Sequence, residues 1–161
     1  MKRLRVAWSE GKARVEAARP FQPGEELMIL EGEVTGRPTR YSVQVGANEH
    51  LAPPAGVATD ASADTVYQWR FLNHSCQPNA AVEGRRLVAI RAVAAGEEVT
   101  FDYRCTEYDM DAPFLCHCGH CGGELVRGYR HVTAEQRRRL EPHVAPYLRK
   151  ELEADALKAH A

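Results

Sequence analysis

The run FLCHCGHC crowds Cys116, Cys118 and Cys121 into six residues. Three soft ligands in so short a loop point to a metal. Zinc takes four ligands in a tetrahedron, with sulfur about 2.3 Å away. Three cysteines leave one vertex open. His117 and His120 are close in sequence, but each adjoins a cysteine, and adjacent side chains seldom reach one ion without strain. A cysteine from a remote segment would close the site cleanly, and Cys76 and Cys105 are those that remain. The chain must then fold so that a distant segment returns to this loop. Free thiols at this density would oxidise. A thioredoxin-like βαβ pattern is missing around the run, and so is the second ligand pair that a RING or zinc-ribbon module needs.

A chain of 161 residues suits one domain with a small appendage. With 44% hydrophobic and 27% charged residues it can build a core, though not a generous one, and a metal staple would help. The formal net charge of -1 gives no general basic surface, so direct nucleic-acid binding is not expected. The N-terminus is basic, but no apolar run follows it as in a signal peptide. No stretch approaches the roughly 20 apolar residues of a membrane span. No membrane association is expected, and the default compartment is the cytoplasm. Five cysteines, an odd number, argue against a disulfide framework.

Short β-type segments broken by Gly and Pro fill the first half: LRVAW, EELMILEG and YSVQV, with RRLVAIRAV and EEVTFDY further on. GANEHLAPPAGVATDASAD reads as a loop. RPFQPGEEL (Arg19–Leu27) and RAVAAGEEV (Arg91–Val99) share one plan, read as a good turn recipe used twice. The C-terminus is helix-like. Thr133 and Gln136 have capping-box spacing, Pro142 and Pro146 interrupt or restart the helix, and Leu148 and Leu152 share a face. The fold class expected is mostly β with short helices and a C-terminal helical appendage packed on the domain.

RFLNHSCQPNA, GEEVTFDY and FLCHCGHC follow one another in order. Together they resemble a SET-domain lysine methyltransferase with a post-SET zinc loop, and TEYDMDAPF resembles the linker of small SET proteins of bacterial type. The resemblance covers about Leu4 to Gly128 and is best between Trp69 and Cys121. It implies a β-clip fold with a C-terminal pseudoknot. It divides the chain into a SET domain (1–104), a post-SET zinc segment (105–131) and a helical extension (132–161). The cofactor implied is S-adenosylmethionine, leaving as S-adenosylhomocysteine, and the partner is a protein or peptide presenting a lysine. Cofactor binding falls to Asn73, His74, Tyr41 and Phe114, to the loop Gly11-Lys12-Ala13, and to Tyr103. Tyr103 and Phe101 lie at the methyl-transfer site, where Phe101 influences how many methyl groups fit. The zinc ligands implied are Cys76, Cys116, Cys118 and Cys121. The sequence departs from the family at Ala13, where a second glycine is usual, and at Leu30, near a usual channel aromatic. The cysteine run is also compressed, which leaves His120 open as a ligand.

The chemistry is an in-line displacement on a sulfonium methyl by a neutral lysine amine, so no Ser/His/Asp set is needed. Tyr103, with a reference pKa of about 10, suits orientation better than proton acceptance. Asp102 is expected to tie the crossing segment, Cys105 to be a spare thiol, and Trp8 and Trp69 to be core. The alternatives are a catalytically degenerate, zinc-stabilised module that binds a peptide or protein and, more remotely, a DNA-binding zinc protein.

Overall fold

The computed structural model describes residues 2–57 and 66–161. The first two segments form a hairpin: β1 (Leu4–Ser9) pairs antiparallel with β2 (Lys12–Ala17) from Leu4↔Ala17 to Ser9↔Lys12. Its two-residue turn has φ 51° at Glu10 and 75° at Gly11, the doubly left-handed turn that matches strand twist. Leu4, Val15 and Ala17 enter the core. Trp8 does not: it is 55% exposed, contrary to the core assignment, with its ring 6.2 Å from Phe71. Burial fades along β1 because the hairpin runs past the edge of the core. Trp69 is buried as expected, and its indole N–H donates to the Glu31 carbonyl at 3.0 Å.

Next come β3 (Glu26–Ile29), β4 (Glu33–Thr35), β5 (Val43–Gly46) and β6 (Glu49–Ala52). β6 corrects the loop reading of GANEHLAPP. It is the central strand of a sheet ordered β4-β6-β5 and buries His50 and Leu51. Turn signals on both sides hide it: Asn48 takes φ 54° in the turn before it, and Pro53-Pro54 follow. Four residues are too few to show alternation. The rest of that segment, from 58 to 64, lies outside the described residues.

A 3-10 turn at Gln68–Phe71 leads into β7 (Asn73–His74), then β8 (Ala80–Glu83), β9 (Arg86–Ala89) and β10 (Thr100–Phe101). β3, β9 and β8 form an antiparallel sheet, while β7 and β10 pair in parallel. Leu27, Leu30, Leu51, Leu87 and Val99 join Phe21 and Trp69 in the main core. Leu30, at the place of the family's aromatic, is fully buried there.

The repeated turn recipe is paired with itself. Phe21 and Val93 exchange N–H···O bonds of 2.9 and 3.0 Å. Gly24 N–H donates to the Ala89 carbonyl and Gly96 N–H to that of Ala17, both at 2.8 Å. Arg19 pairs with Glu25 and Arg91 with Glu97. The two copies face each other across a local two-fold, so one recipe satisfies the orphan backbone groups of both.

After a 3-10 turn at Tyr103–Cys105 come the short pair β11 (Phe114–Leu115) and β12 (Leu125–Val126), then α1 (Ala134–Leu140) and α2 (Pro146–Ala159). The Thr133/Gln136 capping box is present on both sides. Pro146 opens α2, where its missing N–H costs nothing. Leu140, Val144 and Leu148 pack with Cys105 and Tyr129 in a second cluster, against which Leu152 also rests. Among the described residues no helix is long and apolar enough to cross a membrane.

Buried Asn79 fastens β10 and escaped the sequence reading. Its Nδ2 donates to the Glu98 carbonyl (2.7 Å) and to Glu97 Oε1 (3.1 Å), and its Oδ1 accepts from Thr100 N–H (2.9 Å). Asn79→Ala strips partners from buried backbone groups and is expected to cost about 2–4 kcal/mol, read as a lower midpoint in urea with unchanged slope. A loss under about 0.5 kcal/mol would show that water replaces the amide.

Candidate active site and metal centre

The parallel pair β7–β10 sets Asn73 beside Thr100 and His74 beside Phe101. It thereby brings the NHSC and TFDY segments together. Four rings follow from this pairing and from β11. Tyr103 lies 4.9 Å from Phe101, 5.3 Å from His74 and 5.9 Å from Phe114, centroid to centroid, and His74 lies 5.6 Å from Phe114. All four contacts are edge-on or tilted, the favourable arrangement for aromatic quadrupoles.

Tyr103 Oη donates to the Leu72 carbonyl at 2.5 Å. Its lone pairs therefore remain as acceptors. Burial, with the Glu107 and Glu98 carboxylates adding to it, pushes the phenol above its usual range, a direction that disfavours a phenolate base at neutral pH. The Tyr103 backbone N–H donates to His74 Nδ1 at 3.1 Å. This hydrogen bond assigns the proton to Nε2, which faces Cys76 Sγ at 3.4 Å. Burial lowers His74 to about 4, against the pull of Asp102. The imidazole is thus neutral, and its 3.6 Å approach to Asp102 is no ion pair. Asp102 instead binds Arg104, as a tie for the crossing segment should.

Asn73 holds the first hairpin: its Nδ2 donates to the Ala13 carbonyl (3.1 Å) and to Glu98 Oε1 (2.8 Å). Ala13 is an ordinary strand residue of β2, and Gly11 alone of the Gly11-Lys12-Ala13 loop takes a left-handed φ. Tyr41 lies elsewhere. It is 42% exposed, next to Arg40, and does not join the ring cluster. A pocket of about 220 Å³ between β8 and α1 touches Phe101, Arg104 and Leu140 but neither Tyr103 nor His74.

The sulfur atoms of Cys76, Cys116, Cys118 and Cys121 all lie within 4.8 Å of one another. Cys76 Sγ is 3.7 Å from Cys116 Sγ, and Cys118 Sγ is 3.9 Å from Cys121 Sγ. A tetrahedron with metal–sulfur bonds of about 2.3 Å has edges of about 3.8 Å, so the donor set fits zinc. The same spacing is far too long for a disulfide. Gly119, Gly122 and Gly123 take φ of 79°, 69° and 92°, which lets the compressed run close on itself. His120 gives the cluster its backbone N–H, donated to Cys118 Sγ, and not its ring. Cys105 stays out, buried in the second cluster. Burial raises the Cys76 thiol, a tendency that a bound cation would reverse.

The sequence reading missed Arg104. Its guanidinium is 3% exposed and donates to Asp102, Glu124 and Cys76 Sγ. The signal available was Asp102-x-Arg104 inside a segment otherwise destined for burial.

Residues 35–104 match the family model described as SET domain. The chain carries a SET domain. The match contains Asn73, His74, Cys76, Phe101 and Tyr103, and ends before the three-cysteine loop. A histone-lysine N-methyltransferase, H3 lysine-36 specific, of Yarrowia lipolytica is 47% identical over 128 residues, covering 69% of this chain and 16% of the relative. Methyltransferase flvH of Aspergillus flavus is 35% identical over 118 residues, covering 68% of this chain and 59% of the relative. Histone-lysine N-methyltransferase Set2 of Drosophila melanogaster is 31% identical over 122 residues, covering 63% and 5%. The chain thus spans less than two thirds of the length of each of these relatives. Of the residues named from the sequence, His74, Phe101, Tyr103 and Phe114 form one ring cluster, and Asn73 links β7 to Ala13.

Proposed function

We propose that this chain transfers methyl groups from S-adenosylmethionine to the ε-amine of a protein lysine, with one zinc ion held by Cys76, Cys116, Cys118 and Cys121. The observation that carries this reading is the convergence of His74, Phe101, Tyr103 and Phe114 at β7–β10, directly beside the sulfur cluster. Relatives named as histone-lysine methyltransferases support the reaction class.

S-adenosylmethionine, when bound, supplies an electrophilic methyl carbon on a sulfonium. The ring faces of Tyr103 and Phe114 suit such a cation. Asn73 and His74 stand beside them on β7, with the Gly11 turn joined through the Ala13 carbonyl. The apolar walls disfavour an ammonium, so a lysine amine there is held neutral and nucleophilic. With its proton committed to Leu72, Tyr103 Oη accepts from the amine N–H or the polarised methyl C–H and orients the attack. Phe101 carries no hydroxyl to fix a water, which leaves space for a second and third methyl group. Zinc, when bound, would cross-link the loop 116–121 to the segment that follows β7. The parallel β7–β10 pairing supports the β-clip reading, with its C-terminal pseudoknot.

A second reading, a catalytically degenerate module that binds a peptide or protein, draws support from two observations. Tyr41 stands at the surface, and Ala13 sits as a strand residue where the family has a glycine. Thermal melts with S-adenosylhomocysteine separate the two readings. The enzyme reading predicts stabilisation of about 2.7 kcal/mol at a hundredfold excess over Kd, and an unmoved melt selects the binding module.

Glu107 makes a pH prediction. Its Oε2 accepts from Gln44 N–H at 2.8 Å, while Gln44 Nε2 donates to Glu151 and Gln44 Oε1 accepts from Tyr108 N–H. Burial raises Glu107 from 4.5 to about 7, the Gln44 N–H opposing it. A value raised on folding means that protonation favours the folded state. The contribution is full below about pH 4.5 and is lost as pH rises through about 7, on the order of 3 kcal/mol. Glu107→Gln keeps an acceptor for Gln44 and is expected to flatten that fall in urea unfolding. An identical fall in the variant would assign it to another group.

A further inference from the structure

We propose that Arg104 is a positioning residue for the fourth zinc ligand, holding Cys76 in place for the three cysteines of the distant loop. The proposal rests on the zinc reading above. Cys116, Cys118 and Cys121 arrive together in one turn of chain, but Cys76 comes from the segment after β7 and needs a separate hold.

The guanidinium supplies one. Nε and Nη2 grip the Asp102 carboxylate as a fork, at 2.9 and 2.7 Å. Nη1 donates to Glu124 Oε2 at 2.8 Å, and Nη2 donates a second time to Cys76 Sγ at 3.3 Å. Two carboxylates already satisfy this buried cation, so its charge does not require the sulfur contact. The fork fixes the plane of the guanidinium, and the plane aims Nη2 at Sγ.

Each partner lies on a different part of the chain. Asp102 follows β10 and Cys76 follows β7. Glu124 precedes β12 and also accepts from Arg139 of α1 at 3.0 Å. Arg104 therefore ties the remote cysteine to the hairpin that frames the other three. Four thiolates around a divalent ion carry a net charge of −2, and a cation donating to one sulfur stabilises it in a buried site. Lysine, a point charge without the fork, cannot hold Asp102, Glu124 and Cys76 in one geometry.

The test uses the full chain loaded with zinc or cobalt(II), as wild type, Arg104→Gln, Arg104→Lys and Glu124→Gln. Zinc affinity is read by competition with a fluorescent chelator, and the metal–sulfur bonding by the cobalt charge-transfer band. Wild type is expected to hold one ion. Arg104→Gln should hold it about 10–100-fold more weakly with a shifted band, and Arg104→Lys should not restore either value. Glu124→Gln, which frees one arm of the guanidinium, should give a smaller change in the same direction. Wild-type affinity and an unmoved band in Arg104→Gln would overturn the proposal. Should Arg104→Gln fail to fold, an unchanged affinity and band in Glu124→Gln would overturn it instead. A wild-type chain that takes up neither metal would sink the four-cysteine reading itself, a distinct result.

Discussion

Tyr103→Phe is expected to lower methyl transfer on the order of 10²-fold or more while leaving the melt shift with S-adenosylhomocysteine in place. The change removes one oxygen and keeps the ring that packs on His74, Phe101 and Phe114. With its own proton given to Leu72, this oxygen is the part of the Tyr103 side chain that accepts from an incoming amine. Its loss also leaves the Leu72 carbonyl short of a donor, at a cost of about 1 kcal/mol in stability. That modest cost separates the variant from one that merely unfolds. If transfer survives within a few-fold, Tyr103 is a packing residue and the assignment of orientation fails.

Replacing a zinc ligand should have the larger effect on stability. Cys116→Ser removes a buried sulfur at the contact with Cys76 and should reduce bound zinc from one per chain to near none. Metal affinity is folding free energy for a loop with few apolar contacts of its own, so the loss is on the order of several kcal/mol. For a chain of this size each kcal/mol moves the melting point by roughly 2–4 °C. A chelator added to wild type should reproduce the effect, and zinc should reverse it. Cys105→Ser is the control: this thiol lies outside the sulfur cluster, so zinc content should stay unchanged. Zinc retained by Cys116→Ser would show that His117 or His120 can complete the tetrahedron.

The candidate site was legible in two ways, the three-cysteine run by its chemistry and the other residues by their likeness to a known family. Cys116, Cys118 and Cys121 called for a fourth ligand, left open between Cys76 and Cys105 until the resemblance pointed to Cys76, whose sulfur lies with theirs. Thr133 and Gln136 were equally plain, since a capping box is a local contact that needs no tertiary partner. Elements that exist only through remote pairing stayed hidden. β6 is four residues long and is a strand because β4 and β5 flank it. The two Gly-Glu-Glu turns were visible as an echo, but that they pair with each other is set by the whole fold. Trp8 is apolar in sequence and exposed in space because its hairpin outruns the core. Arg104 reads as a surface charge until Asp102, Glu124 and Cys76 are seen around it.

The central claim is transfer of a methyl group to lysine, and mass spectrometry of labelled proteins tests it most directly. Zinc-loaded protein, methyl-labelled S-adenosylmethionine and a cell lysate are incubated together, with Tyr103→Phe in parallel. The proposed function predicts label on lysine ε-amines of specific proteins, lost with the variant. Label confined to other residue types, or none in a preparation that binds S-adenosylhomocysteine, would contradict it.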